Sequence, residues 1–131
     1  MKVIFDHNLS PALAHALQAL FRHEHKIIAL RDKFPADISD VDWISALSRD
    51  GQWVVISGDR RITRNRAEYT AFRRSRLIGM FLSAGLYKAP VIKQAERLLF
   101  LWTTIETVAG TVEGGAMFEL PMSSTKLKQI K

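Results

Sequence analysis

Two aspartates follow short apolar runs in this chain, and their placement has the clearest chemical meaning of any feature in the sequence. Asp6 comes directly after the run KVIF, and Asp59 comes directly after WVVISG. Both runs have the continuous apolar character of strands that are buried in a parallel sheet. Ligands of such sheets bind beyond the carboxyl ends of the strands, so two neighbouring strands would bring both carboxylates into one crevice.

A third carboxylate is expected from a helix that begins near Ser39. Ser39-x-x-Asp42 has the form of a capping box, which gives Asp42 a structural explanation. Asp40 has no capping role of that kind, so we predict that it faces the crevice, with Asp42 as the alternative. Like charges gathered in one crevice repel each other, and a bound cation relieves the repulsion. Because the chain has no cysteine and the ligands are oxygens, the expected ion is Mg²⁺ or Mn²⁺.

Each of these polar residues also has a structural interpretation. An aspartate after a strand is often a turn residue, and Asp40 would favour the positive end of its helix. Asn8 is either a polar group of the site or a turn residue, and Ser57 is either a donor to the site or simply the end of its strand. The joint placement of three acids after two strands and at one helix start favours the functional interpretation.

Positive charge is concentrated after Asp59. The chain has 19 Lys and Arg against 13 Asp and Glu, and seven arginines lie between residues 60 and 76 against a single acid. A small basic domain is attracted to polyanions, most often nucleic acid. A solvated helix face would explain the same run, but we predict that most of these side chains bind phosphates: Arg60, Arg61, Arg64, Arg66, Arg73 and Arg74.

Strands and helices alternate along the chain in the order needed to position these residues. Strands are expected at residues 2–5, 25–30, 53–57, 77–82 and 116–120, the last of them at an edge of the sheet. One helix is expected over 63–75, and the longest begins at Pro90. The alternation predicts a three-layer α/β/α sandwich with a mainly parallel sheet of four to five strands. We expect a single domain over residues 1–121 and a basic, loose tail over 122–131.

The apolar runs are too short to cross a bilayer, and the longest of them is Leu98–Trp102. No basic leader precedes an apolar segment at the amino terminus. The absence of cysteine fits a reducing compartment, so the expected location is the cytoplasm.

Three stretches resemble the PIN-like nuclease fold, and in particular the small VapC-like toxins of that superfamily: MKVIFDHNLSPALAHAL, SDVDWISAL and WVVISGD. The resemblance covers residues 1 to 82, and its most specific part is Asp6-x-Asn8-Leu9-Ser10-Pro11. It implies a PIN-like α/β fold and a metal-dependent ribonuclease whose acidic cluster maps onto Asp6, Asp40 and Asp59. It also implies that the protein is a toxin held inactive by an antitoxin.

The chain departs from the pattern of that family at one point. Many PIN proteins carry a further acid shortly after the position that matches Asp59, whereas here the following residues are RRITRN. Asn65 is the nearest neutral oxygen donor, and Glu68 is the nearest acid. The departure puts a second metal ion in question and leaves an inactive nucleic-acid-binding or protein-binding module as an alternative.

A phospho-receiver-like signalling domain is the other alternative, because it too places aspartates after its first and third strands and binds Mg²⁺. Receivers usually show adjacent acids at the first of these positions and a lysine after the fifth strand, but here His7 follows Asp6 and Pro121 follows the last predicted strand. The expected function is therefore metal-dependent hydrolysis of RNA phosphodiesters, with Tyr69 or Phe72 able to stack on bases. The expected partners are RNA, an antitoxin protein and a second copy of the chain.

Overall fold

The structure is a computed structural model, and it describes residues 1–58 and 60–131. Its strands are β1 (Lys2–Phe5), β2 (Lys26–Ala29), β3 (Trp53–Ser57), β4 (Ile78–Leu82), β5 (Met117–Leu120) and β6 (Lys128–Ile130). Its helices are α1 (Pro11–Phe21), α2 (Leu30–Lys33), α3 (Asp40–Asp50), α4 (Arg61–Arg64), α5 (Arg66–Arg73), α6 (Ala84–Lys88) and α7 (Val91–Thr111).

One sheet carries all of these strands in the order β2-β1-β3-β4-β5-β6. Strands β1 to β5 run parallel, and β6 pairs antiparallel with β5. The carboxyl ends of the parallel strands form one edge of the sheet, here called the carboxyl edge, and their starts form the amino edge. Strands β1 and β3 are direct neighbours with Phe5 opposite Ile56, so the strand that ends before Asp6 lies beside the strand that leads towards Asp59.

The two faces of the sheet are covered by different helices. Helices α1 and α7 pack on one face through a set of buried side chains: Leu13, Leu17, Leu98, Leu101 and Ile105. Helices α3 and α5 pack on the other face through another set: Trp43, Ile44, Leu47 and Phe72. The predicted three-layer α/β/α sandwich is therefore confirmed. Among the helices described, none is long and apolar enough to cross a membrane.

The carboxyl-terminal part of the sheet differs from the sequence prediction. β5 was expected at an edge but lies between β4 and β6, so the described sheet has six strands instead of four to five. The tail was expected to be loose, yet Lys128–Ile130 pairs with β5, and the Arg73 guanidinium donates to the Ile130 carbonyl at 3.0 Å. A short strand of mostly exposed polar residues has no apolar pattern, which is why the sequence did not reveal it.

The arginine-rich segment forms two short helices rather than the single helix expected over 63–75. The backbone at Asn65 is extended, with φ −97° and ψ 120°, which ends α4. The side-chain oxygen of Asn65 accepts a hydrogen bond from the Glu68 amide at 3.1 Å and so caps α5. Asparagine is a favoured capping residue, so Asn65 is itself a signal for the start of a helix. The arginines on both sides of it suggested one continuous helix instead.

Candidate active site

Asp6 lies at the carboxyl end of β1 and is almost completely buried, with 3% of its surface exposed. Its backbone amide donates to the Ile56 carbonyl at 2.9 Å, which continues the pairing of β1 with β3. One carboxylate oxygen accepts from the His7 amide at 2.7 Å, and the other accepts from the Ser57 hydroxyl at 3.0 Å. The carboxylate is therefore held in one orientation by donors from both strands.

Asn8 and Ser57 form a polar link between the ends of β1 and β3. The Asn8 amide group donates to the Ser57 hydroxyl oxygen at 3.1 Å, and its carbonyl oxygen accepts from the Gly58 amide at 2.9 Å. Because the Ser57 oxygen accepts from Asn8, its own hydrogen is directed to Asp6. The sequence left Asn8 as a site group or a turn residue, and Ser57 as a site donor or the end of its strand. Ser57 contacts Asp6 directly, and Asn8 is connected to Asp6 through the Ser57 hydroxyl group.

Asp40 is the first residue of α3, and its side chain points inward, with 8% of the residue exposed. One carboxylate oxygen accepts from the indole nitrogen of the fully buried Trp43 at 2.8 Å. The other lies 3.2 Å from the guanidinium of Arg61. Asp42 is exposed, and its amide donates to the capping Ser39 hydroxyl at 3.1 Å. Of the two acids proposed from α3, the structure buries Asp40.

The pKa of Asp6 reflects its burial and the charges around it, including that of Asp40. Burial raises the pKa of Asp6 above its ordinary value of 3.8, because the charged form loses its hydration. His7 and the hydrogen bond from Ser57 oppose this rise in pKa, and the negative charge of Asp40 adds to it. A buried carboxylate that senses a second buried carboxylate is an arrangement that a bound cation would relieve.

The donors fit a hard divalent ion, although the described residues supply only part of a ligand set. Over residues 1–58 and 60–131 there is no group of three or more acidic, histidine or cysteine side chains that could hold a metal. Asp59, the remaining predicted ligand, lies outside the described residues. Mg²⁺ is commonly held by one or two carboxylates and water. Each carboxylate oxygen of Asp6 and Asp40 still has a lone pair beyond the hydrogen bond it accepts.

Comparison with known families agrees with this geometry. Residues 1–84 match the family model described as a PIN like domain. The chain belongs to the PIN-like domain family. The matched segment contains β1 to β4 together with Asp6 and Asp40, and membership indicates a nuclease-type fold. Searches among curated proteins and among solved structures found no match.

The predicted phosphate-binding arginines of the PIN-like domain lie at two different places. Arg60, which bonds Glu119, and Arg61, which bonds Asp40, follow β3 at the carboxyl edge, and the exposed Arg64 and Arg66 lie close behind them. Helix α5 then returns to the amino edge. There the Arg73 guanidinium donates to the Gly115 carbonyl at 3.2 Å, next to the exposed Arg74. Arg61 contacts a carboxylate of the candidate site, and Arg60 and Arg64 line a cavity with Gly58, whereas Arg73 lies at the other edge of the sheet.

Several features of the site had weak or no signals in the sequence. Trp43 orients Asp40 from three positions along the same helix, a spacing that places both side chains on one face. Tyr87 packs so closely on Gly58 that a β-carbon there would lie 2.2 Å from its ring. Phe72, expected to be available for base stacking, is fully buried, so that expectation is wrong. Asn65 caps α5 instead of pointing to the acids.

The raised pKa of Asp6 predicts that Asp6→Asn stabilises the domain at neutral pH in the absence of divalent ions. Stability from protonated Asp6 is complete below its ordinary pKa of 3.8 and is lost as the pH rises through the higher folded-state pKa. The asparagine variant has no such loss. Its advantage in unfolding free energy should therefore grow across this window and then level off, as urea titrations in chelator at several pH values would measure.

Asp42→Asn is the matched control for that experiment, because it removes the same charge from an exposed position. A negative charge in the first turn of a helix is stabilising, so this variant should not gain stability at neutral pH. An equal gain in both variants would mean that net charge, and not the burial of Asp6, is responsible.

Proposed function

We propose that this PIN-like domain is a metal-dependent endoribonuclease with Asp6, Asp40 and Asp59 as the ligands of a catalytic Mg²⁺ or Mn²⁺. The observation that carries the proposal is the pair of buried carboxylates, Asp6 and Asp40, at the carboxyl edge of the parallel sheet. Burying two like charges near each other is costly unless a cation compensates them. Asp59 enters from the sequence, since it follows the neighbouring strand.

RNA is the proposed substrate on two grounds. The chain has a net charge of +6, Arg61 contacts Asp40, and Arg60 and Arg64 line a cavity with Gly58 at the end of β3. The resemblance to VapC-like ribonucleases favours RNA over DNA. Phosphate contacts from arginine position a strand without reading its sequence, so the basic flank supports binding of many RNAs.

The residues of this chain would have distinct tasks in the reaction. A divalent ion held by the carboxylates would supply a Lewis acid and lower the pKa of a bound water. Ser57 and the His7 amide keep Asp6 in a fixed orientation, and Trp43 does the same for Asp40. The Arg61 guanidinium lies 3.2 Å from Asp40 and so brings positive charge to the edge of the sheet where the substrate phosphates would bind.

The two alternative functions make different demands on the same crevice. The order of β1 to β5 is also that of flavodoxin-like sheets, which include receiver domains, so topology alone does not separate them. A receiver would use paired acids after β1 and a lysine after β5, where this chain has His7 and Pro121. An inactive module would bind RNA without cutting it, and the cleavage assay distinguishes this outcome.

Asp6→Asn, Asp40→Asn and Asp59→Asn should each reduce cleavage of a single-stranded RNA by at least about a hundredfold. Loss of one ligand removes several kcal/mol of transition-state stabilisation, and each ~1.4 kcal/mol is about tenfold in rate. In the same variants Mn²⁺ should no longer raise the thermal unfolding midpoint, because a ligand that binds only the folded state stabilises it. Gel-based cleavage and thermal melts, each with and without Mn²⁺, measure both effects.

Asp42→Asn is again the control, and it should retain both cleavage and stabilisation by Mn²⁺. Cleavage that persists in excess chelator, or that is unchanged in Asp6→Asn and Asp40→Asn, would contradict the proposal. Wild-type protein that binds RNA but never cuts it would support the inactive module.

The arginines that flank the site should contribute to RNA affinity through charge. Arg64→Gln with Arg66→Gln should weaken binding about equally for unrelated RNA sequences. The slope of log K against log salt should become shallower by roughly 0.7 for each phosphate of a single strand that the protein no longer neutralises. Arg49→Gln with Arg74→Gln removes the same charge at the amino edge and should change affinity less. Equal effects of the two double variants would mean that Arg64 and Arg66 act only through general electrostatic attraction and not through their position at the site.

We further propose that the ribonuclease is the toxin of a toxin–antitoxin pair, as the VapC-like resemblance suggests. An acidic segment of an antitoxin could cover Arg64 and Arg66 while a basic side chain reached Asp6. The contact of Arg61 with Asp40 supports this idea, since it is an example of a guanidinium at one of the two carboxylates. Charge complementarity of this kind would speed association of the two proteins.

Expression of the chain alone should arrest growth, whereas co-expression with the product of the adjacent reading frame should restore it. Asp6→Asn should be harmless by itself, because it lacks a metal ligand. Growth curves with inducible expression make the comparison. Harmless overexpression of wild-type protein that cleaves RNA in vitro would count against the toxin role while leaving the nuclease proposal intact.

A further inference from the structure

A cavity of about 290 Å³ lies between His7 and the region of α2. It is lined by the residue after Asp6 and by α2 with the turn that follows: His7, Leu30, Arg31, Phe34, Pro35 and Ala36. His7 links the cavity to the site, since its amide donates to Asp6 at 2.7 Å and its ring nitrogen lies 3.3 Å from the same carboxylate oxygen. None of the lining residues belongs to the predicted catalytic or phosphate-binding set.

The walls of the cavity combine an aromatic ring with positive charge. Phe34 is half-buried and packs against the core through Leu30 and its neighbours, and the rest of its surface faces the cavity. The Arg31 guanidinium donates to the His7 carbonyl at 3.3 Å and so joins α2 to the end of β1. A flat apolar group with a negatively charged neighbour suits this combination.

We propose that this cavity binds an unpaired base of the RNA, next to the phosphate that lies at Asp6 and Asp40. The inference rests on the proposed function and adds a specificity element to it. A single-stranded nucleotide offers both parts that the walls require, a base with a π-face for Phe34 and a phosphate for Arg31. Because a base inside the cavity cannot be paired, the site would select single-stranded RNA over a duplex.

The position of the cavity favours a base of the RNA, and not a side chain of a partner protein, as its occupant. His7 lies between it and Asp6, so a strand whose phosphate reaches the carboxylates must place an adjacent nucleoside nearby. The two rings named from the sequence are less suited to stacking, because Phe72 is buried and the Arg73 guanidinium lies 5.2 Å from the centre of the Tyr69 ring. Phe34 lines the cavity next to His7 and is the ring that the base is proposed to contact.

The test measures how tightly the protein binds two labelled strands of eight nucleotide units. One is a single-stranded RNA, and the other is a ribose-phosphate strand without bases. All proteins carry Asp6→Asn, so that the RNA stays intact in Mg²⁺, and affinity is measured by fluorescence anisotropy. Phe34→Leu keeps apolar bulk in the core but removes the aromatic face. It should weaken binding of the RNA about tenfold, as expected for the removal of one stacked ring, and leave binding of the base-free strand unchanged.

Two further variants make the result specific. Phe34→Tyr retains a stacking ring and should keep the affinity within about twofold of the parent, while Phe100→Leu, at an exposed position on α7, should have no effect. The proposal would be overturned if Phe34→Leu weakened binding of both strands equally or did not weaken binding at all. Tighter binding of a duplex than of the single strand would also overturn it.

A cleavage assay with wild-type protein, which keeps Asp6, separates this inference from the proposed nuclease activity. If a wild-type enzyme cleaves RNA and Phe34→Leu binds RNA normally, the cavity proposal fails and the catalytic proposal stands. If wild-type protein fails to cleave RNA with Mn²⁺ while Phe34→Leu selectively loses affinity for the base-bearing strand, the catalytic proposal fails and the base site stands.

Discussion

The parallel pairing of β1 with β3 is the constraint on which the whole site depends. It brings the end of the first strand beside a residue some fifty positions later in the chain, and the Asp6 amide completes it by donating to Ile56 at 2.9 Å. Asn8 and Ser57 then tie the two strand ends together by side-chain hydrogen bonds. A carboxylate buried in this link cannot move away from a neighbouring negative charge. Repulsion between the buried carboxylates therefore lowers the stability of the domain, and a bound cation or a guanidinium reduces this repulsion.

The sequence was most informative where a residue had one dominant reason for its position. Continuous apolar runs predicted the parallel strands, and the capping pattern at Ser39 predicted the start of α3. The choice between Asp40 and Asp42 followed from the same cap, because a capping role for one acid leaves the other without one. Family membership over residues 1–84 agrees with the resemblance found in those stretches.

What the sequence could not predict depends on contacts between distant residues. The ion pair between Arg61 and Asp40 joins the first residues of α4 and α3, which lie 21 positions apart in the chain. The arginine run appeared to be one basic surface, but a helix that crosses from the carboxyl edge to the amino edge carries its two ends far apart. Arg73 consequently anchors β6 through Ile130 instead of flanking the carboxylates. Linear charge density therefore overestimated the number of arginines near the site.

The placement of β6 has a consequence for how this domain can associate with other chains. An unpaired strand edge is a template for the backbone of another chain. Here the outermost strands are β2 and β6, which have only four and three residues and each begin with an exposed lysine. Short, charged outer strands disfavour strand addition. A protein partner is accordingly expected to bind through side chains of the helices and connecting turns, not by extending the sheet.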